Sequence, residues 1–280
     1  MTPGLQPDQQ VRRWSEHVHV YETAFEPLTD RFAAAALRAL PLGPGARCLD
    51  VAAGSGGAAL AAARTGAQVV AIDAAEGMAA RIRERARAAD LPVAAAVMDA
   101  ARLALKDSSF DAALSLFGLI LCPDAPAALR EAVRTVVPGG PVAVVTWTEP
   151  QNYELIGRLL AAVTAVRGPQ PPPPGLPAQL RFCAEGDFRA LLAAGGLEPI
   201  EISRLQADLE APSASWLAAR LTFAPGLADL LAAQGEARES VVARFVTDLE
   251  RDQGRGAVRL KAVAFLGLGR RSETLARSGP

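Results

Sequence analysis

Apolar residues along the chain follow two rhythms. Five short runs, at 47–51, 68–72, 93–98, 110–116 and 142–147, are rich in β-branched residues and show little alternation of apolar and polar positions. Such runs predict strands buried on both faces of a parallel sheet, not strands with one wet face. Between them, helical spacing of apolar positions predicts helices over 57–65, 78–89 and 125–137. Strands joined by single helices imply right-handed crossovers and a doubly wound sheet, so about 47–147 forms the core of an α/β fold.

The flanks are less regular. Residues 11–40 read as one or two helices, with Trp14, Tyr21, Phe25 and Phe32 among charges, and Gly43-Pro44-Gly45 breaks the chain before the first strand. After the core, the pattern predicts a helix over 152–166 and a stiff proline run at 171–174 suited to an extended linker. A helix over 185–194, stopped by Gly195-Gly196, then leads to a strand over 198–209, helices over about 213–252 and a last strand over 258–268. The late strands bring the sheet to seven, mostly parallel. The chain then divides into an N-terminal helical lid (1–45), a core (46–150) and a segment (151–280) whose late antiparallel strands complete the sheet. That last segment carries a helical cap insertion at about 210–256.

Composition narrows the function. With 29 basic and 30 acidic residues among 280, the formal charge is −1, so the clustered basic surface that nucleic acid requires is not expected. No apolar run reaches about 18 residues, which argues against a membrane span. The start, MTPGLQPDQQ, lacks the apolar stretch of a secretory signal. Three widely spaced cysteines suit a reducing cytoplasm and make neither a disulfide framework nor a metal site. Neither nucleic acid nor a membrane is expected as a partner, and the chain is expected as a monomer or homodimer.

Chemistry concentrates at the ends of the predicted strands. The first runs through Asp50 into Ala52-Ala53-Gly54-Ser55-Gly56-Gly57 and directly into a helix. Glycines there let the backbone turn sharply and let a ligand approach the helix start. Alone, Gly54-x-Gly56-x-x-Ala59 also matches a dinucleotide fingerprint. Asp73, with Ala74 after it, closes the second strand, where a carboxylate can take both hydroxyls of a ribose. Asp99 follows the third, in Val97-Met98-Asp99-Ala100. Any one aspartate at such a place reads equally well as a turn or helix cap. Three on successive strand ends line one crevice. Asp50, at a buried strand end, needs a partner.

In this order the motifs resemble the class I S-adenosylmethionine-dependent methyltransferases, in the small-molecule branch similar to the ubiquinone/menaquinone C-methyltransferases. The resemblance covers roughly 14–147. It implies a Rossmann-like methyltransferase fold, S-adenosylmethionine as cofactor and S-adenosylhomocysteine as product. Asp73 and Met78 resemble the acid that holds ribose and the methionine that packs on adenine, and Asp99 resembles the acid beside the adenine amino group. Phe110-Asp111 and Phe117-Gly118-Leu119 resemble the motif lining the transfer site, and Pro138-Gly139-Gly140 the turn before the fifth strand. The implied cofactor residues are Tyr21, Asp50, Ala52, Gly54, Gly56, Asp73, Ala74, Met78, Met98, Asp99, Ala100 and Phe117. Two departures stand out: Ala52 replaces the first glycine of the usual loop, and Ala75 replaces a common serine cap.

A sulfonium is already an activated electrophile, so a base is needed only for a weakly acidic acceptor. His17 and His19, the only histidines, are the candidate catalytic residues, and they lie in a segment that in similar enzymes folds over the cofactor. Tyr21 is the candidate to close over the methionyl end. Trp14, Phe25, Phe117, Trp147 and Trp216 are candidates for an apolar acceptor pocket, and Cys122 reads as a small buried residue. The reading is methyl transfer to oxygen or carbon of a small, aromatic or polyketide-like metabolite. A cyclase or pericyclase that uses the sulfonium without methyl loss stays open, as does, on the fingerprint alone, an NAD(P)-dependent oxidoreductase.

Overall fold

The computed structural model describes residues 5–171 and 176–273, so the expected proline linker at 171–174 lies, apart from Pro171, outside the described residues. Two helices come first, α1 (Val11–Ala24) and α2 (Glu26–Arg38). The alternating core follows as β1 (Arg47–Val51), α3 (Gly57–Ala63), β2 (Gln68–Asp73), α4 (Glu76–Ala88), β3 (Val93–Val97), β4 (Ala112–Leu116), α5 (Ala125–Thr135) and β5 (Pro141–Trp147). The remainder comprises α6 (Glu154–Arg167), α7 (Glu185–Ala194), β6 (Leu197–Ala211), α8 (Ala214–Ala218), α9 (Pro225–Ala232), α10 (Arg238–Gln253) and β7 (Val258–Arg271). Single 3-10 turns at Pro7–Gln9 and Ala178–Leu180 precede α1 and α7.

The strands form one sheet in the order β3-β2-β1-β4-β5-β7-β6. β1 to β5 are parallel, and β7 runs antiparallel to both of its neighbours. The expected seven-stranded, doubly wound, mostly parallel sheet is therefore present. Apolar side chains cover both of its faces. One layer gathers α2, α3 and α6 with the cap helices, and the other gathers α5 and α7. All seven residues of β5 are buried, which is why 142–147 reads as an unbroken apolar run.

Two strands depart from the sequence reading. β3 is the edge of the sheet and leaves Val97 43% exposed, so it is not buried on both faces. An apolar run identifies a strand but does not say whether another strand follows beside it. The ladder of β4 begins at Ala112 and not at Phe110. Phe110 makes only an isolated bridge to Val136, and the Asp111 carboxylate accepts the Arg47 amide at 2.8 Å.

The lid expected over 1–45 is divided as well. α1 lies over the crevice, but α2 belongs to the core, because Leu28, Phe32 and Ala36 recur every four residues and are no more than 2% exposed. The cap owes its position to β7. Its residues from Ala264 to Arg270 pair with β5, whose last residue is Trp147, while 258–263 continue onward laddered with β6 and touched on the other side by Thr148 and an isolated bridge from Tyr153 to Ala262. This two-stranded extension carries α8, α9 and α10 past the carboxyl ends of the parallel strands, the place where open α/β sheets take ligands. No helix among the described residues is long and apolar enough to cross a membrane.

Candidate active site

The floor of the site is a turn that most side chains would resist. Between β1 and α3, Ala52, Gly54 and Gly56 adopt φ of 55°, 57° and 93°. Glycine is free there, whereas the alanine carries a left-handed strain of roughly 1–2 kcal/mol. Gly56 caps α3, and a Cβ on it would lie 2.9 Å from Ile82, so this glycine serves close packing on α4. Asp73 holds the turn from the neighbouring strand: one carboxylate oxygen accepts the Gly54 amide at 2.9 Å and the other the Ala75 amide at 2.8 Å. Burial outweighs these two bonds and pushes the Asp73 carboxyl up to about 6. Asp50 is 1% exposed, and its Oδ2 has no hydrogen-bond partner. Burial, with Asp73 nearby, pushes it up to about 8.

Above the floor lies a cavity of about 200 Å³. Its far wall is a stack in which Trp147 lies between Phe117, at 4.1 Å, and Tyr153, at 4.7 Å between ring centres. Phe25 and Phe223 form a second stack at 4.5 Å. α1 closes the remaining side and is fastened at both ends. Ser15 accepts the Gly77 amide at 3.1 Å, so α1 supplies the cap that Ala75 cannot give α4. Asp8 accepts the Gly226 amide of α9 at 2.7 Å, and Arg13 grips Asp229 through two bonds at 2.7 and 2.5 Å. Glu22 pairs in the same two-pronged way with Arg81 of α4.

Residues 49–144, which include the glycine turn, Asp73 and Asp99, match the family model described as a methyltransferase domain. The core is a class I methyltransferase domain. An uncharacterized protein of Mycobacterium tuberculosis is 39% identical over 126 residues, 45% of this chain and 45% of that protein. A demethylmenaquinone methyltransferase of a Mycobacterium species (strain KMS) is 41% identical over 114 residues, 41% of this chain and 47% of that one. The matches thus span a little under half the length of these relatives. Among solved structures, the YcgJ protein of Bacillus subtilis superposes with a TM-score of 0.58 at 19% identity, covering 86% of this chain and 98% of that one.

Most of the sequence-predicted residues meet at the cavity of this methyltransferase domain. Ala52, Gly54, Asp73, Ala74 and Met78 line it from β1, β2 and α4. Met98, Asp99 and Ala100 line it from the end of β3, and Phe117 and Tyr21 from the opposite side. Tyr21 lies over the turn, 3.6 Å from where a Cβ on Gly54 would stand. Asp50 opens instead on a smaller cavity that shares Tyr21, Ala52 and Leu116 with the main one. Gly56 borders neither.

His17 and His19 are absent from the cavity wall, since α1 turns Trp14 and Tyr21 inward and the histidines fall on other faces; His19 is exposed. Trp216 is also outside, with Arg220 over its ring at 4.2 Å. Trp14, Phe25 and Trp147 do line the cavity, as does Cys122, whose thiol burial pushes up to about 12. Tyr153, Gln179, Phe223 and Leu227 were not legible as site residues. One signal was available: the chain has only two tyrosines, and both face the cavity.

Proposed function

We propose that this chain transfers a methyl group from S-adenosylmethionine to oxygen or carbon of a small, apolar, aromatic or polyketide-like acceptor. The observation that carries this reading is Asp50: a buried carboxylate oxygen without a partner, one turn away from a glycine loop that has no side chain in the way. An ammonium group satisfies it. Asp73 spends one lone pair of each oxygen on a backbone amide and keeps the others for a ribose diol. Asp99, its Oδ1 already accepting the Ala101 amide at 2.9 Å, would face the adenine amino group, with Met78 against the ring. Tyr21, Ala52, Ala74, Met98, Ala100 and Phe117 would complete the cofactor wall, while Gly56 would contribute only through the shape of the turn.

When bound, the cofactor supplies a methyl group already activated on sulfur. The residues of the chain then have to hold the acceptor and exclude water. The stacked rings and the α1 wall do both. His17 and His19 take no part in this reading, and Cys122 stays a thiol near neutral pH. Residues 46–150 form the cofactor-binding part, α1 the lid, and α8 to α10 the cap that sees the acceptor. The protein works in the cytoplasm as a monomer or homodimer, without nucleic acid or membrane.

The test is calorimetry followed by a turnover assay. S-adenosylhomocysteine should bind at micromolar strength and NAD(H) should not, whereas tight NAD(H) binding with no response to the sulfonium or its product overturns the reading. Incubation with labelled S-adenosylmethionine and a panel of phenols and polyketides should release S-adenosylhomocysteine. Conversion of an acceptor without that release assigns chemistry that keeps the methyl group in place.

A further inference from the structure

Two polar atoms on the roof of the cavity are buried and have no partner: the Tyr153 hydroxyl and the Gln179 side-chain carbonyl. Leaving such groups unpaired costs about 1–3 kcal/mol each. The ring of the first and the backbone of the second are both held in place. The Tyr153 ring lies within 5° of parallel to Trp147, and its backbone bridges to Ala262 of β7. Gln179 belongs to the turn Ala178–Leu180, which Arg181 pins to the loop after β4 by donating to the carbonyls of Ile120, Cys122 and Pro123. Burial raises the Tyr153 phenol far above its ordinary range, so it remains a donor at neutral pH. The rest of the chamber is apolar and ring-lined. Among the described residues no Lys, Arg or His lines the cavity, while Asp8, Asp73 and Asp99 do.

We propose that Tyr153 and Gln179 are the specificity-determining pair of the acceptor chamber and select a neutral, flat aromatic molecule carrying a hydroxyl. The Tyr153 O–H donates to an oxygen of that molecule, and the Gln179 carbonyl accepts from its hydroxyl. An acceptor without oxygen leaves both atoms orphaned. An anionic one meets the Asp8 carboxylate and no cationic side chain.

The inference deepens the methyl-transfer reading, but equilibrium dialysis tests it without turnover. The full chain, Tyr153→Phe and Gln179→Leu are each titrated with 2-naphthol, naphthalene and 2-naphthyl phosphate, with S-adenosylhomocysteine binding followed in parallel. Each neutral hydrogen bond is worth about fivefold in affinity. The unaltered protein should therefore prefer 2-naphthol over naphthalene by about 25-fold and bind the phosphate weakest. Each variant should reduce the preference about fivefold, and the double variant should abolish it. Tyr153→Phe should also raise the melting temperature of the empty protein, since an unpaired hydroxyl is gone. An unchanged preference in both variants, or phosphate binding as tight as that of 2-naphthol, overturns the pair. Failure of S-adenosylhomocysteine to bind the unaltered protein strikes the cofactor reading alone and leaves these ratios readable.

Discussion

Beneath the cavity, Asp50, Gly54, Asp73 and Asp99 stand within one half-length of a Rossmann-like sheet, each at the carboxyl end of a strand. Above it, Trp14, Tyr153, Gln179 and Phe223 arrive from four separate stretches of chain. The floor works through backbone amides, left-handed turns and carboxylates. The roof works through ring stacking and two unpaired polar atoms. Damage to the floor should therefore register in cofactor affinity, and damage to the roof in acceptor handling and stability.

The strongest break is at Asp73. On the proposed reading, Asp73→Ala removes two charge-assisted bonds to a ribose, worth roughly 1.5–3 kcal/mol each, so calorimetry should show S-adenosylhomocysteine affinity falling about 100-fold or more. The melting temperature should fall too, because the Gly54 and Ala75 amides lose their acceptor. Unchanged affinity would reduce Asp73 to a brace between two loops.

Next in size is a pH effect at Asp50. Its carboxyl, pushed up to about 8 in the empty protein, is mostly protonated at pH 7. Pairing with an ammonium favours the carboxylate, so cofactor binding should release a proton. Affinity should climb on the order of 50-fold between pH 6 and 8, and Asp50→Asn should flatten the profile. The same raised value makes the empty protein lose stability as pH rises from about 4 toward 8. Across that window the folded chain keeps a proton that the unfolded chain has released.

On the roof, Phe223→Leu should cost about 1 kcal/mol of stability through the lost stack on Phe25, measured by denaturant titration. Cofactor affinity should stay within twofold. A large loss of that affinity would show that floor and roof are coupled. Ala52→Gly should do the reverse and add about 1 kcal/mol of stability by relieving the left-handed alanine. The smallest effect is expected from His17→Ala and His19→Ala. Neither should change turnover more than twofold, and loss of one limb of the pH–rate profile in either variant would return base catalysis to α1.

The two regions also differ in how much of them could be read in advance. Glycines and acids at strand ends are tied to the strand pattern, so the floor residues and the seven strands were legible from spacing alone. Gly56 was legible as a glycine but not as a packing contact, because Ile82 approaches it from a helix 26 residues on. Asp50 could be picked out, but not the separate small cavity it opens on. The roof depends on where β6 and β7 project, and no local rhythm encodes that. Tyr153 stands in an ordinary polar turn, Gln179 beyond the proline run, and Phe223 among short helices. The histidines differ again: they were legible as chemically suggestive residues on a predicted helix, but helical spacing did not say which face of it meets the cavity.

The fastening of α1 also bears on how the chain is made. Asp8 reaches an amide 218 residues further along the sequence, and Arg13 a carboxylate 216 residues further. Contacts this distant form late, because the chain between them has to be ordered first. During synthesis the sheet's parallel strands can pair, and Ser15 and Glu22 can dock on α4, while Asp8 and Arg13 still wait for α9 to emerge. A chain cut short before residue 226 would keep the cofactor motifs but lose the α9 groups that hold Asp8 and Arg13, and with them one fastening of the chamber.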